Sequence, residues 1–300
     1  MYNKALFGIV LFCSIGLSGL LAKVNAESSR DKYIKKELVK AKFWGAKKGE
    51  LTLGFRMWEG EPDYPKSIVA DTAGRIYILD HLNNRVVVCD STGKYLREIP
   101  VNVYREATLE EMKKKMNGLA FPTLYASEMF IKDNVIYIPV KNGFFVDSKL
   151  VKIIKIDISK GWKVKEEKPS KNILNKINPK VIRVKGKEVR LEGGKTLKII
   201  DNKTKEEKII NLPEDMMRSF IDREGNIYVT NHNYNYEHSL VIKYTSDGKE
   251  LATIEIPFSV GTPFVRENGE IVALCRIPAA DAPEFPSSSE GMKIVIYREE

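Results

Sequence analysis

The residues of this chain best suited to chemistry are its three histidines, His81, His232 and His238, and the carboxylates, amides and rings near them in sequence. His232, Glu237 and His238 carry donors that a divalent metal accepts. Their spacing of six and one, in a polar stretch without a metal-motif pattern, reads as a solvated loop, and no metal is assigned there. Asp71 and Asp222 make a second tempting pair. They recur at equivalent places beside Gly74 and Gly225, which points to turn formation rather than acid–base work. No G-x-S-x-G elbow, P-loop or H-E-x-x-H motif occurs, so neither a catalytic residue nor a cofactor is called for. What remains is recognition chemistry. His81 and Asn83 stand in one short stretch, and Phe144, Phe145 and Asp147 in a second. Tyr234 and Tyr236 lie between His232 and His238, and Asp281, Glu284 and Phe285 close the set. Aromatic faces suit sugar rings or peptide side chains, and amides give directional hydrogen bonds. The plainer reading of these rings is that they fold back to anchor their own loops.

The elements that must position these residues announce themselves by repetition. Ser-Ile-Val-Ala-Asp71-Thr-Ala-Gly74-Arg-Ile-Tyr77 is answered by Arg-Ser-Phe-Ile-Asp222-Arg-Glu-Gly225-Asn-Ile-Tyr228, at a constant offset of 151 residues. Each copy continues through further short apolar runs and a second glycine turn, Gly93 or Gly248. A unit of about forty residues built from short strands and tight turns is the mark of an all-β propeller with four-stranded antiparallel blades. Blade one is predicted as 67–71, 75–80, 85–90 and 95–101, and blade four over 218–257. Worn copies fall at 129–157, 181–212 and 264–297. Five repeats are readable, and 158–180 has room for an eroded further one, so six blades are expected. The last repeat shows three strands, and 37–45 is an extended stretch without a partner of its own. That pairing predicts a ring closed by an N-terminal strand, which removes an open sheet edge. Thr108-Leu-Glu-Glu111, a capping-box pattern, predicts a short helix over 112–116 inserted after blade one.

Bulk properties fit this reading. Lys4, an apolar run from Ala5 to Leu21 and Val24-Asn25-Ala26 predict a signal peptide over 1–26, with a retained membrane anchor as the alternative. A flexible segment over 27–36 and a single domain over 37–300 follow. The chain is expected to be exported, to a periplasmic or extracellular space. Cys89 and Cys275 then remain, either as buried thiols or as one disulfide between the first and last repeats. The formal charge is +9, and residues 151–211 hold 18 Lys and Arg against 8 Asp and Glu. Such a sector is either a solvated strand surface or a contact for an anionic envelope surface. Without interleaved stacking aromatics it does not suit nucleic acid. Trp44 and Trp58 flank the closing segment and are expected to pack.

Asp80-His81-Leu82-Asn83-Asn84-Arg85-Val86 resembles the NHL-repeat family, whose blades carry Asp, a turn with Asn, then Arg-Val. Phe43-Trp44-Gly45, Gly54-Phe55 and Pro65 are similar to that family's crossing between blades. The resemblance is strong over about 43–101 and fair over 214–257. Blade four departs from it, with Asn231 for the Asp and Ser239-Leu240 for Arg-Val. It implies a six-bladed propeller that binds through its loops, and it carries over no catalytic residue, because these signatures are structural.

Loops joining second to third strands all leave one face, and the candidate residues fall in them. Insertions on one face of a rigid scaffold mark it as the working face. The expected function is a non-catalytic binding module for a protein, peptide or glycan. The alternative is a metal-dependent hydrolase or lactonase with Asp80, Asn231 and Glu284 in the channel. A third reading is an envelope scaffold meeting its surface through 151–211.

Overall fold

The computed structural model describes residues 33–42, 53–58, 61–108, 110, 122–142, 148–177, 181–213, 215–231, 238–278 and 291–300. Its strands form five four-stranded antiparallel sheets, the blades of a β-propeller. Blade one is Ile68–Ala70, Ile76–Asp80, Arg85–Cys89 and Tyr95–Pro100. Blade two is Phe130–Lys132, Val135–Asn142, Lys149–Asp157 and Lys163–Glu167. Blade three is Val181–Val184, Lys187–Glu192, Thr196–Asp201 and Glu207–Asn211. Blade four is Met216–Ile221, Ile227–Asn231, His238–Tyr244 and Glu250–Pro257. Blade five has Phe264–Val265, Ile271–Ile277 and Gly291–Glu299, and its fourth strand is Tyr33–Lys42.

Face-to-face stacking of blades explains why the middle strands read as continuous apolar runs. Ile76, Tyr77, Ile78 and Leu79 are all buried, as are Val86 to Cys89, because each face of the sheet meets a neighbouring blade. Alternate residues serve opposite seams. Ile76, Ile78 and Val87 join the cluster with blade five, and Tyr77, Leu79 and Val88 the cluster with blade two. Each fully buried Ile, Val or Leu contributes about 1.5–3 kcal/mol of transfer free energy. The fourth strand of blade one has one neighbour only, and five of its six residues are exposed, all but Ile99.

The repeated Asp-Gly-Tyr triad has a direct structural cause. The Asp71 carboxylate accepts from Arg75 N at 2.9 Å and the Tyr77 hydroxyl at 2.9 Å. Asp222 accepts from Asn226 N at 2.8 Å and the Tyr228 hydroxyl at 3.1 Å. Gly74 and Gly225 turn the chain at φ of 85° and 81°, a region that L side chains rarely adopt.

Two expectations need correction. The described residues hold five blades, not six. The stretch 158–180 supplies the fourth strand of blade two and a short helix, Lys171–Ile177, whose Ile173 packs on Tyr137 and Ile153 of that blade. Blade two's exposed face is therefore covered by a helix rather than by another sheet. Second, Tyr33–Lys36, expected to be flexible, is strand, paired with Ile296–Glu299. Of the two states expected for Cys89 and Cys275 the structure shows the buried thiol: both are free and buried, one facing the seam of blades five and one and the other the seam of blades four and five. Trp44, the helix expected over 112–116 and the side chain of Trp58 lie outside the described residues.

Candidate functional site

Asp80 ends the second strand of blade one and is fully buried. It accepts from the backbone of Gly54 at 2.9 Å, Asn83 Nδ2 at 2.9 Å and Arg85 Nε at 2.8 Å. Asn84 follows in the left-handed region at φ 51°, and its Oδ1 accepts from Val103 N and Tyr104 N. The Asp-His-Leu-Asn-Asn-Arg run is thus a staple that ties the blade-one loop to the crossings before and after it. Charged hydrogen bonds in a dry setting are among the stronger ones available to a fold. Asp80 and Asn83 are spent in this task. His81 is also inside the protein, 1% exposed, with Nε2 3.1 Å from Asp63 Oδ2 and Nδ1 without a partner among the described residues. The Tyr104 and Tyr125 rings meet its imidazole edge-on at 5.9 and 5.1 Å. Burial works to raise the Asp63 carboxyl, but the hydrogen bond from His81 and the charges of His81 and Lys66 outweigh it and hold it below its ordinary range.

In blade four Asn231 takes the place of Asp80 and accepts from Leu240 N at 2.6 Å, again closing its own loop. His238 begins the third strand, with Nδ1 3.6 Å from Glu255. No contact joins it to His81 or Asn83. Phe144, Phe145, Asp147, His232, Tyr234, Tyr236, Asp281, Glu284 and Phe285 lie outside the described residues. Among the described residues no three of His, Cys, Asp and Glu form a group able to hold a metal ion.

The lengths of the connections sort the two ends of the ring. Turns between first and second strands run from 185–186 to 222–226, two to five residues. Connections between second and third strands run from 193–195 to 278–290, up to thirteen residues. The insertions therefore fall on the face that also holds His81 and His238.

A cavity of about 480 Å³ opens at the opposite end, among the short turns. All five innermost strands contribute to its wall, through Val69, Ile131, Ile182, Phe220 and Phe264 among others. The Phe220 and Phe264 rings pack edge to face with centroids 5.4 Å apart. Charges at its mouth are largely matched. Arg223 lies 3.4 Å from Glu267, Arg266 donates to Glu270 at 2.6 Å and to the Gly74 carbonyl at 2.9 Å, and Asp71 faces Arg75 at 2.6 Å. Deeper in the wall stands Arg218, whose side chain is 10% exposed. It reaches from blade four to blade two, with its guanidinium 4.3 Å from the Phe130 ring centre and Nη1 3.3 Å from the Met129 carbonyl. Arg218 was not among the sequence-predicted residues, yet the repeat offset marks it. It occupies the position of Ser67, whose hydroxyl accepts from Met129 N at 2.7 Å. An arginine where its repeat partner has a serine was the available signal.

No protein-family model and no curated protein matches the chain. Solved structures match it at low identity and low TM-score. A luciferin-regenerating enzyme is 13% identical over 78% of this chain and 90% of its own, with a TM-score of 0.36. A streptogramin B lyase is 11% identical over 91% of this chain and 99% of its own, at 0.33. Regucalcin from Agrobacterium tumefaciens, a calcium-binding protein, is 11% identical over 77% and 89%, at 0.35. At these values the likenesses carry no argument about activity.

Proposed function

We propose that this chain is an exported, non-catalytic binding propeller of NHL-repeat type, which engages a protein, peptide or glycan through the loops between second and third strands. The observation that supports it is the division of labour between the two ends of the ring. Blade frames are fixed by spent polar groups such as Asp80, Asn83 and Asn231, while the long insertions gather on one face. Rigid frames carrying variable loops are the usual architecture of recognition. The basic sector 151–211 is a secondary contact for an anionic envelope surface in this reading. Its lysines also serve the sheets, since Lys152 pairs with Glu166 at 2.8 Å and Lys198 with Glu207 at 2.8 Å. No helix among the described residues is long and apolar enough to cross a membrane.

Glycan and peptide arrays probed with the purified protein test the reading. Binding should appear for one ligand class and fall about tenfold or more in a Tyr234→Ala, Tyr236→Ala, Phe285→Ala variant of unchanged melting temperature. Bound divalent metal at one equivalent, with ester or lactone hydrolysis lost in Asp80→Asn, would overturn it in favour of the hydrolase.

A further inference from the structure

Arg218 is a buried cation in the cavity wall with little balancing charge around it among the described residues. A guanidinium has five donors in a planar fork and stays protonated in proteins. Here it has a carbonyl at a long 3.3 Å, an aromatic face, and Glu128 at 3.8 Å, a glutamate whose side chain is 47% exposed and so shared with water. Burial lowers its proton affinity, and Glu128 only partly opposes that effect. A buried cation whose one carboxylate partner among the described residues lies at 3.8 Å and is half exposed is costly to keep, and a bound carboxylate supplies what the fork lacks, two parallel acceptors in its own plane. The acids nearest the cavity mouth do not serve, since Asp71 and Glu267 are engaged by Arg75 and Arg223.

The remaining wall describes the rest of a ligand. Phe220, Phe264, Val69, Ile131 and Ile182 make an apolar lining next to the charge. Its volume of about 480 Å³ falls in the range of small-molecule sites, about 300–1,000 Å³. We infer that the channel of this propeller binds a small carboxylate with an aromatic or branched aliphatic body, its carboxylate on Arg218 and its body between the inner strands, entering from the face of short turns. The inference is independent of the loop-face reading, because it concerns the opposite end of the ring.

The test uses acid and amide pairs on the purified protein. Phenylacetate, indole-3-acetate and 4-methylpentanoate are compared with their primary amides and with inorganic phosphate, by calorimetry and by thermal shift. At least one carboxylate should bind, and its amide should bind about tenfold more weakly, the cost of losing a charge-assisted fork. Arg218→Met should abolish the preference for acid over amide, and Arg218→Lys, which keeps the charge without the fork, should retain only part of it. Equal binding of acid and amide, binding of phosphate alone, or no carboxylate binding up to about 10 mM would each overturn the inference. The ligand comparison on the unaltered protein decides it even if the Met variant does not fold.

Discussion

At the scale of single residues, the polar groups that look most chemical do structural work. Asp80 gathers three donors, one from Gly54 and two from its own loop at Asn83 and Arg85, and Arg85 also donates to Glu98 at 2.6 Å. Asp80→Ala leaves these donors short of an acceptor and takes from the Arg85 guanidinium its buried counter-charge. The variant should lose about 2–4 kcal/mol, read as a lower urea midpoint at an unchanged m-value. The same logic separates what was legible from what was not. Asp71, Gly74 and Tyr77 repeat as Asp222, Gly225 and Tyr228 because one turn and one hydrogen-bond pattern recur, so periodicity revealed them. His81 is a different case. Its neighbourhood in sequence is polar and loop-like, and only the tertiary contacts with Asp63, Tyr104 and Tyr125 take it inside. Arg218 escaped because its role depends on blade two, and its nearest partners, Glu128, Met129 and Phe130, are about ninety residues away.

Among the elements, strands were more legible than the seams between them. Apolar alternation located nearly every strand to within a few residues, whereas 158–180, read as room for a further blade, supplies the outer strand of blade two and a short helix packed on that blade. Periodicity reports which faces are buried, and it is silent on what covers them. The seam of blades five and one shows how tightly such a junction can be set. Gly261 has a φ of +72°, and a Cβ there would collide with the Lys66 carbonyl oxygen. Gly193 has a φ of +58° with nothing within 4 Å. Gly261→Ala should therefore cost at least about 3 kcal/mol, from clash and strain together. Gly193→Ala should cost about 1–2 kcal/mol, from backbone strain alone. Melting of the two variants side by side would measure the difference, and equal losses would refute the close approach.

At the scale of the whole molecule, blade five joins strands from the two ends of the described residues. Its outer strand pairs Tyr33 with Glu299 and Lys42 with Gly291, and the Lys293 ammonium donates to Glu37 at 2.5 Å. Removing residues through Lys42 would expose the whole length of Gly291–Glu299 as an unpaired edge. The shortened protein should melt at lower temperature and self-associate in light scattering, and a peptide of residues 33–42 added in excess should reverse both effects. A monomer of unchanged melting temperature would show the strand to be dispensable. This arrangement also orders events in time. The hook and the eye of the clasp lie 256 residues apart at Glu37 and Lys293, so a chain emerging from the ribosome carries its first strand unmatched while four blades are made. The pairing of Tyr33–Lys42 with Gly291–Glu299 therefore cannot form until nearly all of the described chain has been made.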